Sequence, residues 1–293
     1  MPVWGQDAER KIASEALWRK PLLWNKRAAD KGVRERVFCA SMADVFEDYQ
    51  GPDAARVMEA RERLWALIEA TPSLDWLLLT KRPENMKRML MDRWGIHLWE
   101  NGAKATIEDH GKVKLISYNT PDKSMLRLPS NLWLGTTVEN QEQAAKRLPH
   151  LLVLPSKVRF VSYEPALEAV DFAKWLWPVH WSWDARYQTP EDALKAGAFA
   201  EQKPQKLVHA NARFIDWIIV GGESGTGARP FNPAWAAQVV EQCKAAQTPV
   251  FVKQLGSNPT LRSGSGWGPV TATKGDDMAE WPEQLRVREF PET

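Results

Sequence analysis

Polar and ionisable residues follow short apolar runs at regular places along this chain. Asp44 comes after the first run, Lys81 and Arg82 after the second, and Glu139 and Asn140 after the third. Glu164 follows the fourth, Gly222, Glu223, Ser224 and Arg229 follow the fifth, and Lys253 and Gln254 close the sixth. Any one of them by itself reads first as a cap or a turn former, as Asn85 and Glu139 do, and Pro83 and Pro165 suit a helix start. Six successive run ends that carry both carboxylates and cations point further, to a crevice that holds a polar small molecule. In parallel α/β folds ligands bind beyond the carboxyl ends of the strands, where loops converge and helix N-termini aim free N–H groups inward.

The segment from Gly221 to Arg229 is the richest in glycine. It does not fit a nucleotide-triphosphate loop, because Ala228 and Arg229 stand where Lys and Ser/Thr are required. It does not fit the dinucleotide pattern either, because Pro230 replaces the third glycine. What remains is a backbone that approaches a ligand closely, with Glu223 and Arg229 as charged ends, or a tight strand-to-helix turn. Two cysteines, Cys39 and Cys243, exclude a disulfide framework and a Cys-rich zinc site. His97, His110, His150, His180 and His209 show no paired ligand spacing, so no protein-only metal site is expected. The Trp residues of 175–183 suit core and lid packing at least as well as base stacking.

The runs that place these residues are 36–40, 76–80, 132–136, 158–162, 217–221 and 250–253. Short apolar runs without alternation suit strands buried on both faces of a parallel sheet. Between them the spacing predicts helices over 53–70, 83–93, 139–152 and 233–246. In the first of these, Val57, Ala60, Leu64, Leu67 and Ile68 fall on one face. Strand-helix-strand repetition predicts an α/β fold, a partial parallel (β/α) TIM-like barrel of about six strands. Residues 1–255 are expected to form that single domain, with rim insertions at about 95–131 and 174–213. Residues 256–293 read as an irregular tail packed on it.

With 39 Lys and Arg against 37 Asp and Glu the net charge is +2, which gives no support to a nucleic-acid partner. With 44% apolar residues the chain can bury a core, so global disorder is excluded. It has no apolar leader and no run of about 18 apolar residues, so a reduced, cytoplasmic protein without a membrane span is expected.

Four motifs carry a resemblance: residues 77–85 (Leu-Leu-Leu-Thr-Lys-Arg-Pro-Glu-Asn), 133–141, 159–165 and 217–225. With Ala228-Arg229-Pro230, Gln242-Cys243 and Val252-Lys253-Gln254 they resemble the phage gene product 37/68 family, a domain of unknown function. The resemblance covers most of the chain and implies a distant relationship to radical S-adenosylmethionine enzymes. It also implies a motif of three cysteines suited to a [4Fe–4S] cluster, expected upstream of Met1 together with the first strand. Cys39 and Cys243 do not replace that motif.

The resulting expectation is a radical S-adenosylmethionine-like enzyme in its full-length form. S-adenosylmethionine and the cluster are implied by the resemblance only, and no cofactor is expected for the chain as written. Lys81, Glu139, Glu164, Glu223 and Lys253 would gather around the small-molecule ligand. One alternative is a cluster-free barrel that binds a small molecule or nucleic acid or serves a structural role. A nucleotide or sugar-phosphate hydrolase is another. Without a first strand, the strand at 36–40 has an open edge, which predicts a homodimer through that edge. Anaerobic reconstitution with iron and sulfide is expected to leave this polypeptide colourless; a stable brown species with about four irons per chain contradicts the two-cysteine argument.

Overall fold

The computed structural model describes residues 9–39, 43–97, 105–109, 112–116, 124–176, 214–260 and 271–292. The chain divides into two compact units, Met1–Val138 with Ala145–Ser162, and Glu139–Ala144 with Tyr163–Thr293. The first contains α1 (Glu15–Asp30), β1 (Glu35–Cys39), α2 (Ala54–Ala70), β2 (Leu74–Thr80) and α3 (Pro83–Trp94). Four short strands follow: β3 (Gly95–His97), β4 (Ala105–Asp109), β5 (Lys112–Ile116) and β6 (Ser124–Leu126). Then come β7 (Leu132–Thr137), α4 (Gln141–Leu152) and β8 (Arg159–Tyr163), with α4 and β8 straddling the division. The second unit adds β9 (Trp217–Gly221), α5 (Pro233–Ala245) and β10 (Val250–Gln254).

The architecture is α/β with six parallel strands in the order β1-β2-β7-β8-β9-β10. Each lies on one of the six apolar runs. β2, β7 and β9 are buried at nearly every position, whereas β1 and β10 alternate. Strands covered on both faces have no solvent side, so they read as unbroken apolar runs. The expected helices appear as α2, α3, α4 and α5. The described residues of the region 95–131 stay out of the parallel set and form two antiparallel pairs, β3 with β6 and β4 with β5. Most of the region 174–213 lies outside the described residues. No helix among the described residues is long and apolar enough to cross a membrane.

Local chemistry explains where the elements stop. Pro83 and Pro233 open α3 and α5 at the position where a missing N–H costs nothing, and the Asn232 side chain accepts from Ala234 N. The α2 carbonyls are met by side chains: Thr71 Oγ1 donates to Leu67 O, and Asn131 Nδ2 donates to Ile68 O and Thr71 O. Trp76 Nε1 then donates to Thr71 Oγ1, tying β2 to that helix end. α1 is a further helix, not among the four that the spacing predicts, and it contains Pro21, although a proline inside a helix removes a backbone donor. The ring is nonetheless buried, together with Ala28, on the packed face of α1.

Close packing between strands depends on one absent side chain. Gly135 in β7 is paired with Phe160 in β8, and a Cβ at 135 would lie 2.4 Å from the Phe160 ring. That ring also meets Phe38 of β1 edge-on at 6.5 Å. Near the start of β2, Asp75, only 2% exposed, is matched by Arg34 at 2.6 Å, since a buried carboxylate is stable only when paired. In the second unit, the tail residues 271–292 bury Trp281 and Leu285. They also cover the β10 edge through Val252 N to Val287 O and Glu289 N to Val250 O, each 2.9 Å. Gly135→Ala is expected to destabilise the protein by about 1–3 kcal/mol through overpacking, read as a lowered urea midpoint with an unchanged denaturant slope. An unchanged midpoint contradicts the contact.

Candidate functional site

The sheet topology places polar residues where the strands end, and in the second unit these ends are joined by side chains. Glu164 follows β8, and its carboxylate lies over Gly221 at the end of β9, where a Cβ would meet Glu164 Cδ at 3.3 Å. Across that gap Lys253 Nζ donates to both Glu164 oxygens at 2.8 and 3.0 Å, and Gln254 Nε2 donates to Oε1 at 3.2 Å. Gln254 is buried and its amide also donates to Gly222 O at 3.0 Å, which fixes its orientation. Glu164 is 19% exposed and Lys253 is 50% exposed, so the carboxylate is held from behind and the ammonium faces water.

The glycine-rich loop after β9 is closed on itself. Glu223 accepts from Arg229 N at 2.9 Å, Nε at 2.8 Å and Nη2 at 3.1 Å. This pairing holds the Arg229 guanidinium above its ordinary pKa, with Glu139 adding a weaker attraction. Gly222 cannot carry a side chain, because a Cβ there would lie 2.3 Å from Leu255 O. Gly225 and Gly227 take positive φ, and Ser224 is exposed between them and Glu223. Asn140 serves as a helix cap, its Oδ1 accepting from Gln143 N at 2.9 Å. No sequence signal marks Ser257 and Asn258, which brace the loop: Ser257 Oγ accepts from Gly225 N at 2.9 Å and donates to Thr273 O, and Asn258 Nδ2 donates to Ala228 O. Their role depends on chain segments that meet only in the fold.

In the first unit, Asp44, Lys81 and Arg82 form a separate group. Asp44 accepts from Thr80 Oγ1 at 2.6 Å, Phe46 N at 3.0 Å, Arg82 Nη1 at 2.8 Å and Lys81 N at 3.3 Å. Arg82 also reaches Glu47, which Arg10 binds through two nitrogens at 2.8 and 2.9 Å. Thr80, Glu47 and Arg10 were not among the expected site residues. A cavity of about 160 Å³ in this unit is lined by Tyr49, Val57, Met58, Arg61, Arg88 and Met89, which belong to α2, α3 and the loop before them. None of the expected strand-end residues lines it.

Thiol chemistry is disfavoured at both cysteines. Burial pushes the Cys39 thiol up to about 12 in β1 and the Cys243 thiol up to about 12 in α5. Among the described residues no group of three or more His, Cys, Asp or Glu is placed to hold a metal ion.

A family model described as a protein of unknown function, DUF5131, matches residues 2–279. No curated protein and no solved structure matches the chain.

The Arg10–Glu47 pair makes a pH-dependent prediction. Arg10 holds the Glu47 carboxyl below its ordinary value of 4.5. A lowered folded-state value stabilises fully above 4.5 and less as pH falls through the folded value. Arg10→Met is therefore expected to cost about 1 kcal/mol at pH 7, and its difference from wild type in urea melts is expected to narrow below pH 4.5. A gap that stays constant from pH 7 to pH 3 contradicts the pairing.

Proposed function

We propose, for a chain that belongs to the DUF5131 family of proteins of unknown function, that Glu164 and Lys253 bind a zwitterionic small molecule of the amino-acid type. In this reading the chain is the ligand-holding part of a phage-related, radical S-adenosylmethionine-like enzyme on a TIM-like barrel. The observation that carries it is the pair itself: a carboxylate fixed by Gln254 and a half-exposed ammonium, 2.8 Å apart at strand ends. A ligand α-carboxylate would take Lys253 and a ligand α-ammonium would take Glu164. Exchanging one ion pair for two leaves no charge unmatched, which a lone carboxylate or a lone amine would not achieve. The methionyl end of S-adenosylmethionine carries both groups, in keeping with the family resemblance. The glycine-rich loop after β9, closed by Glu223 and Arg229, is next in the chain to Gly222 and suits close approach by the remainder of such a ligand.

The thiols do not fit a [4Fe–4S] cluster. Such a cluster takes at least three thiolates, and Cys39, half-buried in β1, and Cys243, buried in α5, are two thiols on different elements.

Thermal unfolding tests the reading. S-adenosylmethionine and methionine at about ten times Kd are expected to raise Tm by about 3 °C, and adenosine is not. Glu164→Gln and Lys253→Met are each expected to abolish that rise. No rise in wild type, or the same rise in both variants, overturns the proposal.

A further inference from the structure

A net charge of +2 averages over a surface, and α1 departs from that average. Arg19, Lys20, Lys26, Arg27 and Lys31 are all exposed on this one helix and its C-cap. At 3.6 residues per turn, Lys26, Arg19, Leu23, Arg27 and Lys20 fall within a sector of about 120°, and Lys31 continues the Lys20–Arg27 row. The opposite side carries Pro21 and Ala28, which are buried against the protein. Two carboxylates share this outward face. Glu15 is engaged by Arg63 at 2.5 and 2.7 Å, and Asp30 is the other. Among the described residues the five cations make no salt bridge, whereas arginines elsewhere in the unit do, with Arg34 on Asp75, Arg88 on Asp48 and Arg93 on Glu69.

We propose that this outward face of α1 binds the phosphodiester backbone of nucleic acid. The cations repeat at seven residues, from Arg19 to Lys26 and from Lys20 to Arg27, which is about 10 Å along the helix axis. That spans about three phosphate steps of a duplex strand at 3.4 Å each. Long cationic side chains set at such intervals displace condensed counterions without reading a base, so the binding is independent of sequence and strongly dependent on salt. An anionic lipid surface is the weaker match. A helix lying in a membrane interface buries its apolar face in lipid, and the buried side of α1 is already taken up by the protein, while its exposed leucines, Leu17, Leu22 and Leu23, point more than 90° apart at 100° per residue and form no apolar face. The proposal does not use Glu164 or Lys253, so it stands or falls separately from small-molecule binding.

Fluorescence anisotropy with labelled single-stranded and duplex DNA of about 20 nucleotides, in 50 to 200 mM salt, tests it. Wild type is expected to lose about 100-fold in affinity over that range, the loss produced by about four phosphate contacts. The triple variant Lys20→Gln, Lys26→Gln, Arg27→Gln is expected to bind about tenfold or more weakly at 50 mM, with a shallower salt slope. A control of equal charge change on other helices, Arg56→Gln, Lys146→Gln, Lys244→Gln, is expected to stay within about twofold of wild type. Circular dichroism confirms folding of each variant, and if the triple variant unfolds the single variant Lys20→Gln, with the salt slope of wild type, takes its place. The proposal is overturned if wild type binds neither DNA at 50 mM, if control and α1 variants lose affinity equally, or if vesicles of anionic phospholipid are bound in preference to both DNAs.

Discussion

A parallel strand covered on both faces has nowhere to put a polar side chain except at its ends. That constraint governs this protein. β2, β7 and β9 are buried almost throughout, so charged groups collect at the strand termini and in the loops that follow, and the interior admits Asp75 only with Arg34 beside it. Two glycines serve the constraint in different ways. Gly135 leaves the space that the Phe160 ring fills, and Gly221 leaves the space over which Glu164 crosses to β10. In both cases a missing Cβ on one strand makes room for a side chain that follows or belongs to the neighbouring strand.

Similar residue types at the strand ends do different work according to how far the protein itself satisfies them. Asp44 accepts from four donors supplied by its own unit. A carboxylate so enclosed locks the turn after β2 and has little left for a ligand. Glu164 is held by Gln254 and Lys253, and Lys253 keeps half of its side chain in water. Exposed ion pairs contribute little to stability, so this second arrangement is free to be exchanged for contacts with a bound molecule. Glu223 and Arg229 lie between these extremes, since their pairing closes a loop while both remain accessible.

Charge shows the same dependence on placement. The balanced total of cations and anions conceals a helix whose outward face is mostly basic: Arg34, Arg88 and Arg93 pair with Asp75, Asp48 and Glu69, whereas among the described residues the cations of α1 make no salt bridge. Net charge speaks to long-range behaviour, and local recognition follows the distribution.

The amino-acid sequence by itself determined the six strands, the four helices between them and the class of fold. These follow from apolar runs and from helical spacing, which are local patterns that burial on both faces imposes directly. It also pointed to Asp44, Glu164, Glu223 and Lys253 as residues at strand ends. Only the tertiary structure decided which of them meet. The Glu164–Lys253 contact joins residues 89 positions apart, and the Asp44–Thr80 contact joins residues 36 apart, separations for which no periodicity exists. The structure also revealed α1, whose interior Pro21 contradicts local propensity and is tolerated because the ring is buried in tertiary packing. Pattern reports what each segment must bury; which polar groups remain available for chemistry depends on the partners that distant segments bring to them.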